Sequence, residues 1–368
     1  MKLILYSGSI KSLQREKCTT SSENFQLSLI FNIAKYFEEI YIVSKSATNV
    51  QIEKSKKINL LPIENQKIMS QIKKVNETYN MFKPHETVVL FFGYDYKTQK
   101  MWEKISKKYN LKLVSFTFDT HEGSNSQRKG IKGFILNKYF ELGIKKLNNL
   151  NGIILFNKNA YSELNLKIPF LVSKVGIEER EISETSYKRK NKVFKIVYAG
   201  SLEVYNGIEL MISSITNNRL KDVELEIYGD GTLKEYVESY AKKYNNIKYN
   251  GIIERDKVGN VIEKADLLLN LRDINSVVSK YAFPSKLIEY MASGIPVLTT
   301  RLIDNKLFEQ GVFILSEYKE DDLINLIEYI KDNPQKQEEK VSKAKEYLIE
   351  YNLWDTVALD VYEFMKQL

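Results

Sequence analysis

In the segment KYAFPSKLIEYMASGIPVL, residues 280–298, Ser285, Lys286 and Glu289 stand at i, i+1 and i+4. Pro284 can open a helix and Gly294 can close it before the apolar run that starts at Pro296, which places the three polar residues within one turn of the helix start. Leu287, Ile288 and Met291 supply an inward apolar set that Glu289 interrupts. Free amides at a helix N-terminus attract anions, and a lysine adds positive charge. A carboxylate one turn further in accepts two hydrogen bonds from a vicinal diol. Phosphate beside a diol is the chemistry of a nucleotide. The same residues also suit an ordinary helix start with a surface Lys–Glu pair, and the segment alone leaves both readings open.

The elements that must position such residues follow from short apolar runs alternating with longer amphipathic segments. Strands are predicted over residues 2–7, 40–44, 87–92, 112–118 and 152–156, and again over 194–199, 223–228, 247–250, 266–271 and 296–300, with helices between them. Such alternation gives mostly parallel sheets covered on both faces, and 368 residues suffice for two domains of this kind. Apolar periodicity lapses over 178–192, where charge and Ser/Thr rise. The predicted organisation is therefore an N-terminal domain at 1–177, a linker at 178–192, a C-terminal domain at 193–350 and a final helical segment at 351–368. That segment carries Trp354, Val357, Leu359, Val361 and Phe364 as apolar surface.

Open parallel sheets receive ligands at the carboxyl ends of their strands. Ser7-Gly8-Ser9 follows the first predicted strand, and Asp119 to Gly123, including His121 and Glu122, follows the fourth. Gly200-Ser201, Tyr228-Gly229-Asp230-Gly231 and Arg272 end strands of the second half. One such loop is an ordinary turn; five at strand ends suggest a shared cleft.

Composition narrows the classes. With 43% hydrophobic and 28% charged residues the chain reads as a soluble globular protein, and no apolar run approaches the roughly 20 residues of a membrane span. MKLILYSGSIK reads as a first strand and not as a signal peptide. Cys18 is the sole cysteine, which excludes an internal disulfide, and with His85 and His121 the only histidines no zinc site is expected. A reducing, cytoplasmic setting is the expectation. Residues 1–175 hold 28 of the 55 basic residues but only 14 of the 47 acidic ones, so the net positive charge belongs to the first half. Nucleic acid, an anionic membrane surface, a phosphorylated acceptor or a general lysine bias would each account for it. Aromatic interleaving and recognised nucleic-acid motifs are lacking, so no nucleic-acid partner is expected.

The second half, with VYAGSLEVYNGIELMI, LEIYGDGTLKEYV, DLLLNLRD and SKYAFPSKLIEYMASGIPVLTTR in that order, resembles the family 4 glycosyltransferases, retaining enzymes of the GT-B fold that build bacterial surface polysaccharides. The resemblance spans residues 194–301 and continues more loosely in VSFTFDTHEG and in the VGI of 175–177. It implies two Rossmann-like doubly wound domains facing across a cleft, the N-terminal one for the acceptor and the C-terminal one for a nucleotide-diphosphate sugar. It also implies a C-terminal helix that crosses back to the N-terminal domain.

By the same resemblance Glu289 is the second Glu of the family's E-x7-E signature, which holds the ribose hydroxyls. Ser285 and Lys286 stand where the helix start meets the diphosphate, Gly200 and Ser201 line the donor cleft, and Tyr228 and Gly229 lie where the base is received. Gly8, Ser9 and Asp119 fall on the acceptor side, and His121 is similar to the family's acceptor-side histidine. Two positions depart from the pattern. The first Glu of the signature falls on Tyr281, and Asn206 stands where a basic residue commonly precedes the glycine of the loop after the first strand. Arg272 and Lys280 are the expected replacements as cations for the diphosphate.

The chemistry expected is departure of a nucleoside diphosphate from an anomeric carbon with oxocarbenium character, for which positive groups at the β-phosphate supply much of the catalysis. Arg272, Lys286 and helix amides would do this without metal, and no Asp-x-Asp occurs in the chain. Retention is implied by the resemblance, with front-face attack by the acceptor hydroxyl. The reading is transfer of a sugar from a nucleotide sugar, expected to be a UDP sugar, to a saccharide or polyprenyl-diphosphate-linked acceptor. Residues 127–147 place Ile131, Phe134, Ile135 and Leu142 at helical spacing among Arg128, Lys129, Lys132, Lys138, Lys145 and Lys146. This segment is either a peripheral anchor on anionic lipid at the inner face of the plasma membrane or a core-facing helix with a solvated basic side. A nucleotide-sugar epimerase of the same architecture and a non-catalytic scaffolding paralogue are the competing functions; Tyr281 and Asn206 motivate the second.

Overall fold

The computed structural model describes residues 1–14, 21–47, 53–55, 57–63, 68–117, 131–184, 187–189, 191–254, 257–276, 279, 285–302 and 306–368. They form two compact units, Met1–Gly176 with Trp354–Leu368, and Ile177–Leu353. In chain order the first unit contains β1 (Lys2–Ser7), α1 (Ser21–Ile33), β2 (Glu39–Ser44), β3 (Glu53–Ser55), β4 (Ile58–Pro62), α2 (Ile68–Tyr79), β5 (Thr87–Phe92), α3 (Tyr96–Tyr109), β6 (Lys112–Thr117), α4 (Ile131–Leu147), β7 (Gly152–Leu155), α5 (Lys158–Glu163) and β8 (Phe170–Val172). The second contains β9 (Phe194–Ala199), α6 (Ile208–Ile215), β10 (Val223–Tyr228), α7 (Lys234–Lys243), β11 (Ile247–Tyr249), α8 (Val258–Ile262), β12 (Leu267–Asn270), α9 (Ser285–Ala292), β13 (Val297–Thr300), α10 (Lys306–Gln310), β14 (Phe313–Leu315), α11 (Glu320–Asp332) and α12 (Pro334–Tyr351). The last helix, α13 (Trp354–Gln367), belongs to the first unit.

The first sheet runs β3-β4-β2-β1-β5-β6-β7-β8 and is parallel except for the β3–β4 pair. The second runs β11-β10-β9-β12-β13-β14 and is parallel throughout. From β9 the chain winds outward one way through β10 and β11, then returns and winds the other way through β12, β13 and β14. That is the doubly wound order, whose reversal point lies between β9 and β12. In the first sheet the corresponding reversal lies between β1 and β5. Interior strands such as IVY within β9 and LLLN in β12 are buried on both faces, which is why they read as unbroken apolar runs. The sequence misses β3, β4, β8 and β14, which stand at or next to sheet margins and are too short or too polar to show a period of two.

Helix α13 lays Trp354, Val357, Ala358, Val361 and Met365 into the core built by Leu3, Leu5, Leu27, Ile30 and Ile33, and Tyr362 stacks on Tyr36 at 5.0 Å between ring centres. Residues 178–192, read from sequence as a linker, contribute described residues to the second unit. Ile182 and Tyr187 are buried, Ser183 N donates to Ala292 O at 2.7 Å, and Tyr187 Oη donates to Asp266 O at 3.2 Å. A few apolar anchors hold this segment without any periodicity.

Helix α4 is fixed by one face. Gly143 lies so near the Tyr94 carbonyl that a Cβ would come within 2.2 Å of it, Gln99 Nε2 donates to Gly143 O at 2.8 Å, and Lys146 pairs with Glu103 at 2.6 Å. Phe134, Ile135 and Leu142 are 64%, 61% and 46% exposed. At 100° per residue Phe134, Lys138, Leu142 and Lys145 share a stripe with Ile135 at its edge. These apolar side chains do not face the core. No described helix is long and apolar enough to cross a membrane.

Candidate functional site

The carboxyl end of β9 is the centre of the candidate site. The strand ends at Ala199, and Gly200 N continues the ladder by donating to Tyr228 O at 2.9 Å. Successive amides point to opposite sides of a strand, so Ala199 faces the β12 side. β12 pairs with β9 only at Leu267 and Leu268, opposite Ile196 and Val197. Ala199 instead meets Tyr290 of α9, whose hydroxyl accepts from Ala199 N at 2.8 Å and donates to Ala199 O at 3.1 Å. A helix side chain thus takes the place of a strand partner, and it fixes α9 against the strand end that carries Gly200.

That attachment sets Lys286. Its Nζ lies 4.2 Å from the centre of the Tyr198 ring, and a Cβ on Gly200 would come within 1.8 Å of it. Gly200 is the space through which the amine reaches the strand ends. The Lys286 pKa is lowered to about 7, chiefly by burial and also by Arg272 as a neighbouring positive charge, with Glu289 opposing both. Arg272, two residues beyond β12, places its guanidinium 5.6 Å from the centre of the Tyr205 ring, and Tyr205 O accepts from Asp273 N at 3.0 Å. The two cations therefore flank the reversal point of the sheet from α9 and from the loop after β12.

The glycines on the neighbouring strand end pack against the same turn. Gly229 adopts φ +137°, and a Cβ there would lie 1.8 Å from Gly200 O, so no other residue fits the approach of these two backbones. Leu202 N donates to Asp230 O at 2.9 Å, tying the two loops together. Tyr249 Oη donates to Gly229 O at 2.8 Å. Tyr228 Oη donates to Glu226 at 2.9 Å, and burial together with that bond pushes its pKa up to about 12. Asn206, which replaces a basic residue of the expected pattern, is buried and donates from Nδ2 to Ser201 O at 2.9 Å and to Ser201 Oγ at 2.8 Å. Its role is to shape the loop.

Among residues singled out from sequence, the second unit brings Gly200, Ser201, Tyr228, Gly229, Arg272, Lys286 and Glu289 into one neighbourhood. Leu287, Ile288 and Met291 are buried as expected from their spacing, whereas Glu289 and Ser285 are on the exposed side of α9. Lys280 and Tyr281 lie outside the described residues, as do Asp119, His121 and Glu122. In the first unit Gly8 and Ser9 follow β1. Ser9 N donates to Ser7 Oγ at 3.1 Å, Gln26 Nε2 donates to Ser9 Oγ at 2.8 Å, and Ser46 Oγ donates to Gly8 O at 2.5 Å. This turn is held by α1 and by the end of β2. Tyr198, Tyr205 and Tyr290 were not singled out from sequence. The one available signal is a tyrosine inside an aliphatic strand two residues before Gly200.

A cavity of about 350 Å³ lies at the other end of α9, lined by Ile182, Tyr187, Met291, Ala292, Glu338 and Val341 among others. It touches none of the charged residues above, and its lining carries Glu184, Glu338 and Glu339 against the single cation Lys345, a balance that does not favour a diphosphate.

Residues 179–347 match the family model for glycosyl transferases group 1. The whole chain is similar in fold to several solved structures. A sucrose-phosphate synthase from Thermosynechococcus elongatus has 13% identity and a TM-score of 0.69, with 100% of this chain and 98% of that chain covered. HepE of Anabaena, in complex with UDP-glucose, has 15% identity and a TM-score of 0.63 with both chains covered in full. WaaG, a glycosyltransferase involved in lipopolysaccharide biosynthesis, has 12% identity, a TM-score of 0.62 and 99% coverage of both chains. No curated protein matches the chain by sequence. The fold is that of GT-B enzymes, with two parallel-sheet α/β domains.

Proposed function

We propose, from the premise that this chain is a glycosyltransferase with a group 1 domain at residues 179–347, that the second unit binds a UDP sugar and that the chain transfers the sugar with retention. The acceptor is a saccharide or a polyprenyl-diphosphate-linked sugar of a bacterial surface polysaccharide. The observation that carries this reading is the pair of neighbouring cations, Lys286 against Gly200 and Arg272 just beyond β12, at the reversal point of the second sheet. A doubly wound sheet receives its ligand there, and a diphosphate is the ligand whose charge suits two buried-side cations beside a helix start. The complexes of HepE with UDP and with UDP-glucose support the choice of nucleotide.

In this proposal Arg272, Lys286 and the first amides of α9 take the diphosphate, Glu289 takes the ribose hydroxyls, and Tyr228 and Gly229 border the base. As the anomeric C–O bond lengthens, negative charge grows on the β-phosphate, and the two cations stabilise it more than they stabilise the ground state. The acceptor hydroxyl attacks from the same face as the departing diphosphate, which accounts for retention without a protein nucleophile, and no metal enters the step. His121 and Asp119, with Gly8 and Ser9, serve the acceptor, and Lys280 is a further diphosphate cation. Helix α4 rests on an anionic lipid surface at the inner face of the plasma membrane through Phe134, Ile135 and Leu142, which bring apolar contact, and Lys138 and Lys145, which bring charge.

Thermal shift with a panel of nucleoside diphosphates and their sugars, without metal, tests the donor reading. UDP ligands are expected to stabilise the wild type by about 2.7 kcal/mol at 100 times the dissociation constant, and neither Arg272→Ala nor Glu289→Ala should show the shift. If no nucleotide stabilises the wild type, the donor site is wrong and a scaffolding role takes its place.

A further inference from the structure

We infer that Tyr198 is a positioning residue for Lys286: the face of its ring holds the ammonium in its charged form and aims it across Gly200 before any diphosphate arrives. The inference rests on the donor-site reading for its consequence, but the arrangement itself stands on geometry.

Lys286 Nζ lies 4.2 Å from the Tyr198 ring centre, well inside the range in which a ring face attracts a cation. The charged and titratable groups that face the amine among the described residues are Arg272, which repels it, Glu289 and Tyr198. No described carboxylate comes within ion-pair distance of Nζ. A carboxylate in contact would hold the charge more strongly, but it would also occupy the amine that the β-phosphate needs and would repel the phosphate itself. An aromatic face supports the cation without consuming one of its three donors.

The ring is itself immobilised. Tyr198 is fully buried in β9, and its hydroxyl donates to Ser201 O at 2.7 Å. Ser201 O also accepts from Asn206 Nδ2 at 2.9 Å. Removing only the hydroxyl therefore leaves that carbonyl satisfied and the ring in place. This makes Tyr198→Phe a test of the face alone, and Tyr198→Leu the variant that removes it. Tyr198→Met serves if the leucine variant does not fold.

The titration of Lys286 is read in the empty protein from the pH dependence of its labelling by acetic anhydride, followed on the Lys286 peptide by mass spectrometry. The phenylalanine variant is expected to match the wild type, and the aliphatic variants to titrate at lower pH. UDP affinity, measured from pH 6 to 9 on the same proteins, is expected to weaken roughly tenfold in the aliphatic variants and to fall away at lower pH than in the wild type. The protonated amine is the form that binds phosphate, so affinity is lost as pH rises through its pKa. The nucleotide's own titration is common to all the proteins. An aliphatic variant that is folded and labels Lys286 with the wild-type pH profile would overturn the inference, whatever it does to UDP. Wild-type protein that shows the expected labelling but binds no nucleotide would instead remove the donor-site reading.

Discussion

The hydroxyl of Tyr290 grips Ala199 by both of its backbone groups, 2.8 Å from the amide and 3.1 Å from the carbonyl, across 91 residues of sequence. The grip begins where β12 stops pairing with β9, so the end of the central strand is held by a helix and not by its neighbour. Tyr290→Phe keeps the ring and leaves two buried backbone groups without a partner. The expected cost is about 1–3 kcal/mol of stability, read as a lower midpoint in urea, with weaker UDP binding because Gly200 follows directly on Ala199. A phenylalanine variant with the wild-type midpoint would mean that the strand end does not depend on this clamp.

Two glycines a few ångströms apart should respond to alanine in opposite ways. At Gly200 the new methyl meets the tip of Lys286, a flexible side chain that can withdraw. Gly200→Ala is expected to lose less than about 1 kcal/mol of stability yet weaken UDP binding by roughly tenfold or more, because the amine is displaced from the strand ends. At Gly229 the methyl meets the Gly200 carbonyl at 1.8 Å from a backbone at φ +137°, and neither side can give. Gly229→Ala is expected to cost on the order of 2–4 kcal/mol in a denaturant melt. Equal stability losses at the two positions would contradict this contrast.

These relationships mark what the sequence could and could not reveal. The strand–loop–helix alternation was legible because β9, β12 and β13 are short, largely apolar and bounded by Gly or polar residues, and because β10 alternates buried apolar with polar residues. The helix at Ser285 was legible because Pro284 and Gly294 punctuate it. The strands β3, β4, β8 and β14 at or next to the sheet margins were not, since three to five residues are too few to write a periodic pattern. Tyr198 and Tyr290 read as two more core residues, because what distinguishes them is a contact across the fold and not their spacing. Residues 178–192 read as a linker for the converse reason: Ile182 and Tyr187 anchor them singly, and a single anchor has no period.

Lys286 should trade stability for function. Its pKa is lowered from 10.5 to about 7, chiefly by burial, so between these values the unfolded chain binds the extra proton and the folded chain does not. Stability contributed by this site therefore rises as pH climbs from about 7 towards 10.5, and the penalty is greatest at and below neutral pH. Lys286→Met, similar in shape and free of charge, is expected to raise stability at pH 6 to 7 by on the order of 2 kcal/mol, with the gain shrinking towards pH 10 and UDP binding lost. Melts at several pH values decide it. A methionine variant that is less stable than wild type at pH 6 would show that the lysine is better accommodated than its surroundings suggest.

The exposed stripe of α4 should bind lipid independently of the donor site. Phe134, Ile135 and Leu142 are exposed, so they can be changed without touching the core. A Phe134→Glu/Ile135→Glu double variant is expected to keep the wild-type melting temperature and UDP affinity while losing co-sedimentation with phosphatidylglycerol-rich vesicles by roughly tenfold or more, since each large apolar side chain contributes about 1.5–3 kcal/mol when buried. Wild-type binding should also weaken with added salt, because Lys138 and Lys145 act across a distance that ions screen. Binding to neutral vesicles equal to that on anionic ones would assign the attraction to the apolar side chains alone. Failure of the wild type to sediment with any vesicle would mean that this face meets something other than a membrane.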